Sequence, residues 1–121
     1  MRFSADGSRM VFIDNNGLIE LYDFDRCTGL LSNTVNIRGE TSVYYPGYIG
    51  VEFSANGDVL YVSSNNTIST LMQFDLTASN ILASRDTLYS TNTPPETGGF
   101  LRRAIDNKIY FSGEAFSSSG T

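Results

Sequence analysis

The chain alternates short apolar stretches with turn residues, a pattern typical of antiparallel β-strands. Residues 48–54 (YIGVEFS) alternate apolar with small or polar side chains, and residues 59–64 (VLYVSS) form an apolar run with β-branched and aromatic members. Between them, Asn56-Gly57 is a dipeptide that accepts the positive φ of a tight hairpin. Two further strands are predicted downstream, over residues 68–76 and 81–89.

The same pattern recurs at a spacing of 50 residues. The ten residues that begin at Phe3 (FSADGSRMVF) align with the ten that begin at Phe53 (FSANGDVLYV), and the match runs without a gap to Asp25 and Asp75. The first unit predicts strands over residues 9–14, 18–25 and 30–38. A shorter third copy, IDNKIYF, follows at residues 105–111. Four short strands per repeat of this length are typical of β-propellers.

The repeat predicts an all-β fold of propeller blades, each of four antiparallel strands, with about two and a half blades in the chain. The blades are expected at residues 1–39 (with a truncated inner strand), 40–90 and, in part, 91–121. A closed ring needs roughly four or more blades. The chain is therefore expected to be a fragment or protomer of a larger propeller, which joins the remaining blades or associates with itself.

Composition narrows the classes of function. The 121 residues carry 8 Lys and Arg against 13 Asp and Glu, and a net charge of −5 argues against binding to a nucleic acid. The absence of His excludes a Ser-His-Asp triad and a His-ligated zinc site within this chain. A lone cysteine, Cys27, cannot form an internal disulfide. No apolar run approaches the length of a membrane helix, so membrane insertion is not predicted. No cofactor is predicted either.

Several segments resemble a family of bacterial propellers: FSADGSRMVFID, GLIELYDFDRCTGLLSN, GVEFSANGDVLYVSS, MQFDLTASNI and DNKIYFSG. They are similar to the YVTN- or WD-repeat-like propeller region of secreted Bacteroidetes proteins that end in gliding-motility-associated C-terminal domains, which direct type IX secretion. The resemblance implies a secreted or cell-surface location, although the chain shows no signal peptide. It also implies a non-catalytic scaffold that binds protein or glycan ligands. The alternative is part of a lactonase-like or glycan-lyase-like propeller enzyme.

Two linkers between the predicted blades, residues 39–47 and 90–99, hold all three prolines of the chain. Three tyrosines in and after the first linker are the best binding candidates. Tyr44, Tyr45 and Tyr48 cluster around Pro46 in a predicted face loop. Aromatic side chains in such a loop offer a large contact area to sugars or peptides at a low entropic cost. The alternative is that they pack between adjacent blades.

Glu52 is the main candidate for acid–base chemistry, because it lies on the predicted inner strand and can reach a central channel. Glu40, Glu96 and Glu114 are further carboxylates that a hydrolase could use. The third copy carries Arg102 at the position of Glu52. Glu52 and Arg102 are therefore either part of a ligand site or an ion pair between blades, and the sequence favours the ion pair.

Three aspartates at the end of the predicted third strands are weak calcium candidates. Asp23, Asp25 and Asp75 could combine with turn carbonyls to hold a hard cation. Alternatively, each carboxylate accepts backbone N–H groups of the turn that follows it. The equivalent positions of Asp25 and Asp75 favour the structural interpretation.

Overall fold

A computed structural model describes residues 1–38, 47–65, 69–91, 96–97, 99–112 and 114–115. In these ranges the chain is all-β, as predicted, with one short 3-10 helix at Leu82–Ser84 and no α-helix. The strands are β1 (Arg2–Phe3), β2 (Arg9–Ile13), β3 (Ile19–Phe24), β4 (Leu31–Arg38), β5 (Tyr48–Phe53), β6 (Val59–Asn65), β7 (Ser69–Asp75), β8 (Asp86–Thr91), β9 (Glu96–Thr97), β10 (Leu101–Arg103), β11 (Ile109–Phe111) and β12 (Glu114–Ala115). Within the same ranges, no helix is long and apolar enough to cross a membrane.

The strands form two four-stranded antiparallel sheets, which confirms the predicted four-stranded units. Sheet 1 has the order β1-β2-β3-β4 and sheet 2 the order β5-β6-β7-β8, so each strand pairs with its neighbour along the chain. The pairs β10-β11 and β9-β12 are two-stranded. The tight turns agree with the sequence pattern, since Gly57 and its equivalent Gly7 both adopt positive φ.

The gapless alignment of the two units holds for the first two strands and fails at the third. Phe3 pairs with Met10 as Phe53 pairs with Leu60, 50 residues further on. In contrast, Asp23 lies opposite Arg9, whereas the residue opposite Val59 is Asp75, 52 residues further on. Between these equivalent pairs the β2-β3 hairpin spans 14 residues and the β6-β7 hairpin spans 16, so β3 is shifted by two residues relative to β7. A shift of two leaves every side chain on its original side of the sheet.

The predicted strand over 81–89 begins later than expected. Its first residues form the 3-10 helix, and β8 starts only at Asp86. The Asn80 side chain accepts a hydrogen bond from the Ala83 N–H (3.1 Å), and the Ser84 hydroxyl donates to the Ile81 carbonyl (2.6 Å). These side chain–backbone hydrogen bonds favour a turn over an extended strand.

The hydrophobic core lies between sheet 1 and sheet 2. Its buried members are Val11, Ile19, Leu21 and Ile37 of sheet 1 and Tyr48, Val51, Phe53, Leu60, Val62, Met72 and Phe74 of sheet 2. At one end of this interface, the Arg9 guanidinium lies 5.9 Å from the centre of the Phe53 ring and donates a hydrogen bond to the Gly57 carbonyl. The two sheets are therefore packed face to face.

Both outer strands join their sheets irregularly. The β3-β4 register shifts between Ile19 and Glu20 and again between Leu21 and Asp23. The β7-β8 register shifts between Leu71 and Met72. Such irregularities bend a strand and increase its local twist.

Candidate functional site

Glu52 lies where β1, β5 and β10 meet, and its carboxylate joins all three strands. The residue is 4% exposed. Its Oε2 lies 3.4 Å from the Arg2 Nε and accepts a hydrogen bond from the Arg103 N–H (3.1 Å). Its Oε1 accepts from the Phe53 N–H (3.0 Å). A charge-assisted network of this kind satisfies a buried carboxylate.

The expected partner of Glu52 was Arg102, and the structure places a different arginine beside it. Arg2 of β1 forms the ion pair, while Arg102 is exposed and only the backbone of its neighbour Arg103 reaches the carboxylate. The Arg2 guanidinium also donates to the carbonyls of Val51 (3.4 Å) and Leu101 (3.3 Å). Arg2 and Glu52 together tie the three strands into one junction.

An open cavity of about 560 Å³ lies beside this junction. Its wall includes the charged residues Arg2 and Asp14, Gly50, and the apolar residues Ile49 and Phe100. Phe100 is 73% exposed, so its ring is available to a ligand. Because β5 and Phe100 follow the two linkers that contain the prolines, the cavity lies beside the ends of both linkers.

Of the three tyrosine candidates, the structure describes only Tyr48. Tyr44 and Tyr45 lie outside the described residues. Tyr48 is buried between the sheets, where its hydroxyl accepts a hydrogen bond from Arg38 (2.6 Å). Burial raises the pKa of the Tyr48 hydroxyl, and the Arg38 charge opposes this shift. Tyr48 also lines the cavity, but its burial and its contact with Arg38 agree with the packing alternative.

The three calcium candidates bind separate hydrogen-bond donors. Asp25 accepts from the Cys27 N–H (2.8 Å), Asp75 from the Thr77 N–H (2.9 Å), and Asp23 from the Asn33 side chain (2.8 Å). Among the residues that the structure describes, no group of three or more His, Cys, Asp or Glu side chains could hold a metal ion.

The same turn chemistry recurs at positions that the sequence analysis did not single out. Asp6 accepts from the Ser8 N–H (2.9 Å), Asp14 from the Asn16 N–H (2.8 Å), and Asp106 from the Lys108 N–H (3.0 Å). Each carboxylate stands two residues before its donor, the spacing of an Asx-turn. The signal available in the sequence was an Asp followed directly by the turn residues Gly or Asn, as in Asp6-Gly7 and Asp106-Asn107.

These turns make stability depend on pH. Hydrogen bonds from Ser8, Cys27 and Thr77 hold the pKa values of Asp6, Asp25 and Asp75, respectively, below the ordinary 3.8. A depressed folded-state pKa stabilises the fold above the unfolded pKa, and this contribution is lost as the pH falls through the folded value.

We expect the melting temperature to fall as the pH decreases below about 4, the pKa of an unfolded aspartate. The triple variant Asp6→Asn, Asp25→Asn, Asp75→Asn should show a shallower fall when Tm is measured from neutral to acidic pH. Asp86→Asn is the control, since the Asp86 carboxylate accepts a long hydrogen bond (3.4 Å) from Gln73. Parallel curves for the triple variant and the original chain would contradict the prediction.

Gly50 allows close contact between β5 and the segment before β10. A Cβ at Gly50 would lie 2.9 Å from the Gly99 carbonyl oxygen, 3.0 Å from the Leu101 nitrogen and against the Ser63 hydroxyl. That hydroxyl already donates to the Gly99 carbonyl (2.6 Å). The backbone of residues 99–101 and the Ser63 hydroxyl that is bound to it leave no room for a methyl group.

We therefore expect Gly50→Ala to lower the free energy of unfolding by about 1–3 kcal/mol in urea titrations. Gly29→Ala is the control, because Gly29 has positive φ but no atom within 4 Å of an added Cβ. Its cost should be the backbone strain alone, about 1 kcal/mol. Near-ultraviolet circular dichroism reports the packing of aromatic side chains in both variants. If Gly50→Ala and Gly29→Ala reduced this signal equally, the close contact at Gly50 would be wrong.

Comparison of the chain with protein-family models gives no match, and comparison with curated proteins gives none either.

Proposed function

We propose that the chain is a non-catalytic β-propeller segment of an exported or cell-surface bacterial protein. In this proposal the segment acts as a scaffold, and it binds a protein or glycan ligand at the face that carries the cavity. This proposal rests mainly on Glu52, whose carboxylate is bound by Arg2 and by two backbone N–H groups. Two further observations support it. The two similar four-stranded sheets pack face to face, and their first strands, β1 and β5, meet β10. First strands of neighbouring blades meet in this way around a propeller axis.

The position of Glu52 supports a structural role over a catalytic one. A general acid or base must come within hydrogen-bond reach of a substrate. Both oxygens of this carboxylate are already bound to protein donors, and the side chain is buried. A substrate would have to displace Arg2 or separate β5 from β10 to reach it.

The cavity supports ligand binding near the linkers. The exposed Phe100 ring offers a flat apolar surface, on which a sugar ring or an aromatic peptide side chain can stack. Two charged residues, Arg2 and Asp14, lie in the same wall. A few polar groups among apolar ones are characteristic of ligand sites.

The test is an array of bacterial polysaccharides and peptides probed with the labelled chain. We expect saturable binding to one class, with a loss of about tenfold for Phe100→Ala, equivalent to roughly 1.4 kcal/mol. Ile105→Ala is the matched control, because Ile105 is a fully exposed apolar residue that does not line the cavity. Equal losses for the two variants would place the ligand elsewhere.

Catalysis is tested separately with chromogenic glycosides and lactones. We expect no turnover by the chain. Turnover that Glu52→Gln abolishes, while the variant stays folded by circular dichroism, would overturn the non-catalytic assignment.

A further inference from the structure

The sequence contains two Asn-Gly pairs, Asn16-Gly17 between β2 and β3 and Asn56-Gly57 between β5 and β6. Asparagine is a thermolabile residue, and glycine has no Cβ to keep the side-chain amide before it away from the backbone nitrogen. In both pairs the asparagine is exposed, the glycine is buried, and the glycine φ is positive (90° at Gly17 and 79° at Gly57). The two pairs are therefore matched in exposure and in the backbone conformation of the glycine.

Hydrogen bonds hold the second pair in place. The Asn56 Oδ1 accepts from the Ser54 hydroxyl (2.8 Å) and from the Asp58 N–H (3.1 Å), and the Asn56 Nδ2 donates to the Asp58 carboxylate (3.2 Å). The Gly57 N–H donates to the Ser54 carbonyl (3.0 Å). Both the side-chain amide and the backbone nitrogen that follows it are thus already bound.

The first pair lacks these bonds. Among the residues that the structure describes, neither the Asn16 side chain nor the Gly17 N–H has a hydrogen-bond partner. The Asp14 carboxylate accepts from the N–H groups of Asn16 (2.8 Å) and Leu18 (2.9 Å), which lie on either side of Gly17. An unpaired N–H in a buried residue is uncommon and costs free energy. The amide and the nitrogen at this pair are both free to react.

We propose that Asn16-Gly17 is a site of spontaneous modification, at which Asn16 loses its side-chain amide and becomes aspartate or isoaspartate. The equivalent reaction at Asn56 is suppressed in the folded chain by the hydrogen bonds of its turn. The modification requires only water and no enzyme, and it goes beyond the scaffold and ligand-binding roles proposed above.

The reaction proceeds through a cyclic imide. The Gly17 nitrogen gives up its proton to hydroxide and attacks the Asn16 Cγ. A new N–Cγ bond closes a succinimide ring as the Cγ–Nδ2 bond breaks, and the Nδ2 group takes up a proton and leaves as ammonia. Water then adds to one ring carbonyl and breaks its bond to the Gly17 nitrogen, which regains a proton. Opening at Cγ gives aspartate, and opening at the Asn16 carbonyl carbon gives isoaspartate.

The position of this pair connects the modification to the cavity. Asp14 and Asn15, which directly precede Asn16, belong to the wall of the 560 Å³ cavity. Either product adds a negative charge next to that wall. Isoaspartate also inserts one extra main-chain carbon between the two N–H groups that Asp14 binds, so it disturbs the hydrogen bonds that order the turn.

The test follows both pairs in one sample of the folded chain. The chain is incubated in heavy-oxygen water at mildly alkaline pH, digested with trypsin in ordinary water and analysed by mass spectrometry. Trypsin cuts after Arg9 and Arg26 and after Arg38 and Arg85, so the two pairs are recovered in different peptides. Heavy oxygen marks the carboxylates that formed during the incubation, and electron-transfer fragmentation separates aspartate from isoaspartate.

We expect Asn16 to react about tenfold faster than Asn56 or more, because the hydrogen bonds around Asn56 must open first. The chain unfolded in urea is the reference, since the residues that flank each pair still differ there but the turns are gone. The ratio of the two rates in the folded chain, divided by the ratio in urea, measures the contribution of the structure alone.

Two variants check the cause and the position. Ser54→Ala combined with Asp58→Ala removes the side-chain partners of Asn56 and should speed its loss by about threefold or more, with the rate at Asn16 unchanged. Asn16→Gln should abolish the modification at this position, because the longer side chain would have to close a larger ring. Circular dichroism confirms that both variants remain folded.

A corrected rate ratio near one, or faster loss of Asn56 than of Asn16 in the folded chain, would overturn the proposal. So would a mass gain in the first peptide that fragmentation assigns to Asn15. None of these outcomes bears on ligand binding at Phe100 or on the role of Glu52, so the modification and the proposed function stand or fall separately.

Discussion

Replacing Phe53 by Ala is expected to lower the free energy of unfolding by about 3–5 kcal/mol. The side chain is completely buried between the two sheets, and the Arg9 guanidinium lies against its ring. Truncation removes apolar contacts and leaves a cavity between two β-sheets, which cannot collapse without breaking their hydrogen bonds. Urea titration followed by circular dichroism measures the loss.

The chain itself offers the matched control for this prediction. Phe3→Ala changes the same residue type at the same register, but Phe3 is 39% exposed. Its loss should be about 1 kcal/mol, because less apolar surface returns to water and no closed cavity forms. Similar losses for the two variants would mean that the sheets do not pack as described.

Replacing Glu52 by Ala is expected to lower the free energy of unfolding by about 3 kcal/mol. The carboxylate is the acceptor for the N–H groups of Phe53 and Arg103, and its removal leaves both donors without that acceptor near the centre of the fold. The ion pair adds less, since the Arg2 side chain remains 32% exposed and solvent screens its charge. Thermal and urea unfolding both measure the effect.

Two arginine variants separate the observed partner of Glu52 from the expected one. Arg2→Gln should lower the free energy of unfolding by about 1 kcal/mol, through the lost ion pair and the lost hydrogen bonds to β5 and β10. Arg102→Gln should change it by less than about 0.5 kcal/mol, as is usual for an exposed side chain. The reverse order of these two losses would contradict the position of Glu52.

Local patterns in the sequence predicted most of the strands. The predicted strands over 48–54 and 59–64 agree with β5 and β6 to within one residue at each end. Alternation of apolar side chains and the Asn56-Gly57 turn suffice here, because both depend on neighbouring residues only. The late start of β8 was missed because Asn80 and Ser84 act through side-chain hydrogen bonds that a β-branched pattern does not reveal.

Contacts between distant strands were harder to predict. An alignment matches equivalent positions, and it therefore paired Glu52 with Arg102. In the fold, the side chain that crosses to Glu52 is the long one of Arg2, while β10 approaches with its backbone. Which of two nearby arginines reaches a carboxylate depends on the spacing of three strands, and no single segment of sequence encodes that spacing.

The irregular pairing of β4 and β8 has a consequence for how such a protein can be lengthened. A straight, regular outer strand would invite another strand to extend the sheet sideways, which is the usual route to fibrils. Here the register shifts twist both edges and interrupt the row of free donors and acceptors. Addition of a further strand at the free edge of β4 or β8 is therefore disfavoured, and these two edges are protected against fibril growth.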